Sequence, residues 1–402
     1  MVVTMETCQD NDFDLEQLRA KIDQCDYQII KLLDQRFKLV REIGRHKARH
    51  NLPVEDMARE KQVLSQVEQA SIISRHFIEN IFKLIINESL QIQKDMDRGA
   101  DKLSWFDDKK IAVIGLGLIG TSICLALKKA EVNCEITGFD SNPAKTEWVL
   151  ARGAVDQIAD NPADCVRQAE LVVIAVPVRA IKQVLGQIAP HVKSGAVIID
   201  VGSSKEQVCQ WADRILPQHA LFVGGHPLAG KTNASPESAD ENLFRQRLFA
   251  ITPNRKTNTA AITAAKQLIN IIGAEEKVIP ASEHDQHIAW VSHLPFLISA
   301  CLVSTAAKHS LWPEAKKLAA TGFRDMSRLA SGDPEMYTDI CITNRDNILK
   351  AMASFWTTLT TVEELISQEN ADGLRSFFST SKHERDEWQG DVWEKREFNK
   401  IH

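Results

Sequence analysis

The stretch IAVIGLGLIGTS, residues 111–122, decides the fold. The apolar residues Ile111–Ile114 run straight into glycines, and a short apolar run bounded by a turn reads as a fully buried strand. Gly115, Gly117 and Gly120 complete G-x-G-x-x-G, with a helix start directly behind. Alone the motif is weak. Twenty residues after its last glycine, however, a second apolar run, CEITGF (134–139), ends on Asp140. Strand, glycine turn, helix, strand and terminal carboxylate are the parts of a dinucleotide-binding unit. The glycines let backbone approach a pyrophosphate at a helix N-terminus. The carboxylate accepts from a ribose 2′-hydroxyl and repels a 2′-phosphate, so the expected cofactor is NAD.

Downstream the same alternation continues. LVVIAVP, AVIID, LFVGG, RLFAITP and EKVIP are the further strand candidates, separated by helical stretches up to about residue 280. This order predicts a mostly parallel, doubly wound α/β Rossmann-type domain over 109–280. From 281 to 378 the pattern is helical, an all-α domain, and 379–402 is a charged tail with two tryptophans, either a docked helix or disordered. Ligands of such sheets bind at the carboxyl ends of the strands. AVIIDVGSSK places Ser203 there, and LFVGGHPLAG places His226 in a G-G-H-P turn, exposed at that edge as a general base. Near a later helix start lie His284, His287 and His293, followed by Arg324 and Arg328 in GFRDMSR. For His284, His287 and Arg324 helix caps and ion pairs are expected.

Upstream, 110 residues precede the motif. Residues 14–94 hold one proline, Pro53, and one glycine, Gly44. Leu15, Leu18, Ile22, Cys25, Ile29, Leu32, Leu39 and Ile43 recur at three-four spacing, which predicts one long helix with an apolar seam. A second helix is expected over 55–69 and a third over 75–93. Residues 1–95 thus form an all-α domain, and the polar, acidic DMDRGADKLSWFDD (95–108) supplies a linker over 96–108. Arg36 falls on the seam, where a guanidinium is costly unless an anion pairs it. Lys47 lies about three turns on, along the same face, and Arg19 about a quarter turn away. Asp56, Arg59 and Glu60 share one face of the second helix, Ser89 and Gln93 one face of the third.

The totals narrow the function. A chain of 402 residues is long enough for two or three domains. A net charge of −6 and a pI near 6.1 argue against a nucleic-acid or anionic-membrane surface. No wholly apolar run reaches the roughly 18 residues of a membrane span, and the acidic start MVVTMETCQDNDFD offers no signal peptide. The eight cysteines are scattered without a C-x-x-C pair. They read as thiols of a reducing cytoplasm, with Cys25, Cys124 and Cys301 buried, and no metal site is expected.

LEQLRAKID (15–23), LLDQRFKLVREIGRHK (32–47), PVEDMARE (53–60) and LIINESLQIQ (84–93) together resemble the all-helical chorismate mutases. That resemblance implies interlaced protomers and a site that borrows Arg19 from the partner. It implies that Arg19 and Arg36 hold the two carboxylates of chorismate, assisted by Ser89. Lys47 and Gln93 polarise the ether oxygen, Glu60 and Asp56 take the ring hydroxyl, and Arg59 braces the site. A pericyclic rearrangement needs no nucleophile, only a held conformer and stabilised charge.

GGHPLAG, SHLPF and GFRDMSR together resemble the prephenate and arogenate dehydrogenases over residues 109 to about 370. By that resemblance His226 takes the ring hydroxyl proton, Ser203 hydrogen-bonds the hydroxyl, Arg328 grips a carboxylate and His293 lines the pocket. The helical part from 281 would be a dimerisation domain. Many prephenate-specific members carry histidine where this chain has Phe296, which points toward arogenate. The whole resembles the bifunctional enzymes of tyrosine biosynthesis, expected as a cytoplasmic homodimer acting on chorismate and then prephenate. Two other functions stay open: arogenate as the oxidised substrate, and a helical segment that regulates or assembles without catalysing.

Overall fold

The computed structural model describes residues 15–49, 75–100, 105–231 and 233–389, together with positions 53, 56, 59, 62 and 63. The chain divides into two compact units at Asp101/Lys102.

In the first unit, helix α1 (Leu15–Arg49) packs against helix α2 (Arg75–Ala100). Val40 of α1 and Ile86 and Ser89 of α2 are buried. The apolar seam does not close within one chain: Leu18, Ile22, Ile29, Leu32, Leu39 and Ile43 are all exposed. Cys25, expected as a buried thiol, is exposed with them, and so is Cys301 in the second unit, whereas Cys124 is buried. The reason is physical. A stripe along a 35-residue helix needs apolar partners on more than one side. Of the expected second helix, Arg59, Gln62 and Val63 are helical, and Glu60 lies outside the described residues. Helix α2 continues to Ala100, so the expected linker begins as helix.

In the second unit eight strands form one sheet in the order β3-β2-β1-β4-β5-β6-β7-β8. They are β1 (Lys109–Ile114), β2 (Cys134–Phe139), β3 (Gln157–Ile158), β4 (Leu171–Ile174), β5 (Val197–Asp200), β6 (Leu221–Pro227), β7 (Leu248–Pro253) and β8 (Glu275–Val278). Every predicted apolar run is a strand. The two-residue β3 was not foreseen, being too short to carry a periodicity. All pairings are parallel except β6 with β7, where His226 lies opposite Ala250. Side chains alternate across the sheet. Ile111 and Val113 of β1 join one core with Leu127 and Leu268, while Ala112 and Ile114 join the other with Ile181 and Phe222. Phe106, inside the expected linker, is fully buried in the first core and fixes the chain's entry into β1.

Helix α3 (Leu118–Lys129) follows β1, and α4 (Glu206–Ile215) follows β5. After β8 come α5 (Ala281–Ile288), a π-helical turn (Ala289–His293) and α6 (Leu294–Lys308). By length and composition alone the run Ala281–Lys308 could cross a membrane. Its first half instead buries His284, Asp285 and His293, and Asp285 bonds to the start of α4. Helices α7 (Pro334–Thr343), α8 (Arg345–Ser367) and α9 (Ala371–Trp388) complete the unit. The first part of the charged tail is therefore helix α9, which extends past Phe378.

Candidate active sites

The helical unit gathers part of its expected set. Arg36 is half-buried on α1, and its Nη1 donates to Ser89 Oγ and to the Ile85 carbonyl. Ser89 in turn donates to the same carbonyl. The guanidinium on the seam is thus met by oxygen acceptors, which relieves the cost of burying it. Burial lowers its pKa from the ordinary 12.5. Lys47 is half-buried and Arg19 exposed on the same helix. Seventeen residues of α1 separate Arg19 from Arg36, about 25 Å along the axis, so one chain cannot bring both to one ligand. Asp56 accepts from Arg59 N at 3.0 Å, and the Arg59 guanidinium reaches Gln62 at 2.7 Å. Glu60 and the side chain of Gln93 lie outside the described residues.

The second unit opens with the glycine turn. Gly115 has φ +99°, and a Cβ there would lie 2.4 Å from the Ala175 carbonyl oxygen. At Gly120 a Cβ would lie 2.0 Å from the Gly115 carbonyl oxygen. Both positions exclude any side chain, which leaves a bare cradle at the start of α3. Gly117 caps that helix. Asp140 accepts from Leu116 N and Asn142 N, each at 2.9 Å, so its carboxylate is pinned beside the turn with lone pairs to spare for ribose hydroxyls. This donor and acceptor set fits a dinucleotide. The segment after His226 folds back onto the turn, where Leu118 N donates to the Ala234 carbonyl at 2.8 Å.

His226 departs from its expected exposed position: it belongs to β6 and is 9% exposed. The antiparallel partner β7 carries β6 past the turn, and α5 covers the imidazole. His226 Nδ1 lies 2.9 Å from His284 Nε2, and His284 Nδ1 lies 2.8 Å from Asp285 Oδ1. A carboxylate only accepts, so His284 Nδ1 carries a proton. With its one ring proton at Nδ1, His284 accepts at Nε2 from His226 Nδ1, and that arrangement leaves His226 Nε2 with its lone pair free. Asp285 is itself held by Lys205 N at 2.8 Å and Glu206 N at 2.9 Å, at the N-terminus of α4. Burial pushes the His226 pKa well below 6.5, helped by the Lys205 charge. His226 is therefore a neutral imidazole. Beneath it lies a fully buried ion pair, Lys205 with Asp200, and Asp200 also accepts from Gly225 N at 3.3 Å, one residue before the base.

The other expected residues sit on separate elements of the same unit. Ser203 is half-buried just after β5. Arg328 is exposed at the start of the 3₁₀ turn Arg328–Ser331. Tyr337 braces that turn by donating to the Leu329 carbonyl at 2.9 Å. Phe296 stacks flat on Tyr337, with ring centroids 4.0 Å apart, and is buried with Ala289, Ile340 and Ile348. Arg324 pairs with Asp325 as expected, and His287 is exposed.

Comparison with known proteins assigns these parts. Residues 18–94 match the chorismate mutase type II family. Residues 123–278 match the prephenate dehydrogenase nucleotide-binding domain, and 280–380 the prephenate dehydrogenase dimerization domain. A prephenate dehydrogenase of Bacillus subtilis is 36% identical over 69% of this chain and 75% of its own length. The chain belongs to the prephenate dehydrogenase family. A T-protein of Enterobacter agglomerans is 23% identical over 94% of both chains, mutase segment included. The crystal structure of the Aquifex aeolicus prephenate dehydrogenase, in complex with hydroxyphenyl propionate and NAD⁺, aligns with a TM-score of 0.65 at 28% identity, over 69% of this chain and 98% of that one. In domain composition this is a bifunctional chorismate mutase/prephenate dehydrogenase.

In this dehydrogenase three groups escaped the sequence. His284 was expected in a helix cap or ion pair; it does pair with Asp285, but it is 2% exposed and links His226 to that carboxylate. The adjacent His-Asp pair of EHDQH, polar at a helix start beside apolar runs, was the available signal. Lys205 and Asp200 gave none, because the strand ending at Asp200 and the helix after Lys205 each read normally without a buried charge. Asn344, which bonds His293, sits between two helices in an ordinary polar stretch.

Proposed function

We propose that the helical unit rearranges chorismate to prephenate and that the α/β unit, with NAD, oxidatively decarboxylates prephenate to 4-hydroxyphenylpyruvate. These are consecutive steps toward tyrosine. The observation that carries the second step is the His226–His284–Asp285 relay, whose tautomers leave one free lone pair at His226 Nε2. When bound, NAD supplies the hydride acceptor for the ring carbon. His226 Nε2 takes the ring hydroxyl proton as that carbon is oxidised. The substrate's ring carboxylate leaves as carbon dioxide, its bonding pair completes the aromatic ring, and His226 returns the proton to the phenolate oxygen. The imidazolium formed in between is stabilised through His284 by the fixed Asp285 carboxylate. Ser203 orients the hydroxyl, Arg328 holds a carboxylate, and His293 lines the pocket. Gly115, Gly117, Gly120 and Asp140 seat the dinucleotide.

In the mutase Arg36 and Ser89 hold one carboxylate, and Arg19 of a second copy the other. Lys47 and Gln93 act on the ether oxygen, Glu60 and Asp56 on the hydroxyl, and Arg59 braces them. The exposed seam of α1 and the exposed Leu349, Trp356, Leu359 and Phe378 of α8 and α9 support a homodimer. We place it in the cytoplasm, with small-molecule substrates and neither nucleic acid nor membrane as partner.

Phe296 favours a second substrate. It takes a position where histidine would offer a donor, so L-arogenate is the alternative for the same relay. NADH formation at 340 nm with prephenate and arogenate in parallel decides between them. Faster prephenate turnover upholds the consecutive pathway, and faster arogenate turnover replaces it. Failure to consume chorismate would make the helical unit a non-catalytic module.

A further inference from the structure

Asn344 lies between α7 and α8 and is 3% exposed. Its Nδ2 is 2.7 Å from the Asp285 carbonyl oxygen and 3.1 Å from His293 Nδ1, while its Oδ1 accepts from Asn347 Nδ2 at 2.9 Å. A backbone carbonyl only accepts, so the nitrogen of this amide faces Asp285. The same nitrogen therefore donates to His293, and His293 Nδ1 must be the lone-pair nitrogen. In a neutral imidazole the proton then sits on Nε2. Burial lowers the His293 pKa to about 4, so the neutral ring is the working form.

The Nε2–H that results is buried, on a side chain 1% exposed, and meets no acceptor among the described residues. Buried donors are seldom left without a partner, and an exception calls for a reason. Two further observations supply it. His293 closes a π-helical turn, an uncommon form that recurs at functional sites. It also lies close enough to His226 for a proton on one ring to disfavour a proton on the other. The two imidazoles are complementary. The relay leaves His226 Nε2 as an acceptor, and Asn344 leaves His293 Nε2 as a donor.

We infer that Asn344 is a positioning residue that locks His293 as a neutral Nε2–H donor to an acceptor oxygen of the ring substrate, beside the His226 base. The inference rests on the dehydrogenase activity proposed above and deepens it. It assigns His293 to the substrate and not to the dinucleotide. Because Asn344 also holds the Asp285 carbonyl, one amide sets the donor and steadies the relay's last member.

The test uses the full-length protein. Asn344→Asp keeps the shape but replaces the donor facing His293 with an acceptor, which moves the imidazole proton to Nδ1. His293→Leu removes the donor, and His293→Gln restores an N–H near the same place. Asn344→Asp and His293→Leu are expected to lower kcat/KM for the ring substrate by about 10–100-fold, leaving the KM for NAD and the chorismate mutase rate within about twofold. His293→Gln should recover about tenfold over His293→Leu. A KM for NAD that rises in step, or a glutamine variant no better than leucine, overturns the inference. Where Asn344→Asp does not fold, the His293 pair still decides. ¹⁵N spectra of histidine-labelled protein, assigned by the signal lost in His293→Gln, should show Nε2 protonated and Nδ1 bare. The opposite tautomer defeats the inference whatever the substrate, whereas no NADH from prephenate or arogenate defeats the dehydrogenase proposal instead.

Discussion

The two units solve opposite chemical problems with opposite kinds of site. The mutase unit handles a reaction without proton transfer, and its candidate residues are spread along helix faces as donors for carboxylates and an ether oxygen. Its apolar seam stays exposed in one chain, and Arg19 lies too far from Arg36 to share a ligand with it. The dehydrogenase unit must move a proton, and the base we propose, His226, sits in a buried relay of residues from one chain. The difference teaches that charge stabilisation can be assembled from a surface shared between copies, whereas proton transfer demands a fixed and water-poor interior.

The sharpest way to break this contrast is His226→Asn. Oxidation should fall by roughly 10²–10⁴-fold with the mutase intact, read as NADH formation against chorismate consumption on one preparation. Equal loss of both activities would end the two-site description. Arg36→Ala should lower the mutase by about 10²–10³-fold and spare oxidation of supplied prephenate. Mixing Arg36→Ala with Arg19→Ala chains sharpens the shared-surface side, because a mixed dimer regains one intact site. No recovery on mixing would place both arginines in one protomer's site. Asp285→Asn should cost the dehydrogenase roughly 10–100-fold by loosening the His284 tautomer, and an unchanged rate would show that the relay does not act through Asp285.

Smaller effects concern the cofactor and stability. Asp140→Asn should relax the preference for NAD over NADP by about tenfold, measured as a ratio of kcat/KM values. An unchanged ratio would remove Asp140 from the ribose. The last prediction follows from burial. Folding holds His226 and His293 neutral, with pKa values well below 6.5 and about 4 respectively. An unfolded chain protonates both near 6.5. The unfolded state thus binds more protons as pH falls below 6.5, and the α/β unit loses stability there, by at most about 1.4 kcal/mol per pH unit for each histidine. For His293 the loss ends near pH 4. Melting temperatures between pH 7.5 and 5 check the sign, and a unit that grows more stable on acidification would contradict it.

Much of the fold was legible in the chain because each element carries its own periodicity. The long helix follows from three-four spacing, and the sheet from apolar runs separated by glycine turns. The short strand β3 and the burial of Phe106 were not legible, since neither belongs to a periodic pattern. On the site, the motifs nominate the three glycines, Asp140, Ser203, His226, His293 and Arg328 as candidates. Their environments were not legible. His226 was expected at an exposed edge because a local pattern carries no information about the helix that later covers it.

The sequence by itself determined the order of domains, the mostly parallel sheet with its dinucleotide turn, and the candidate chemistry-bearing side chains of both units. Those properties depend on residue type and near spacing, which a one-dimensional string records in full. Only the tertiary structure decided how the base works. His226, the run His284–His293 and Asn344 come from three segments, whose bonded residues are 58 and 51 positions apart in the chain, and their tautomers follow from which atoms face one another. That is a property of three-dimensional packing around buried polar groups, where every donor must find an acceptor.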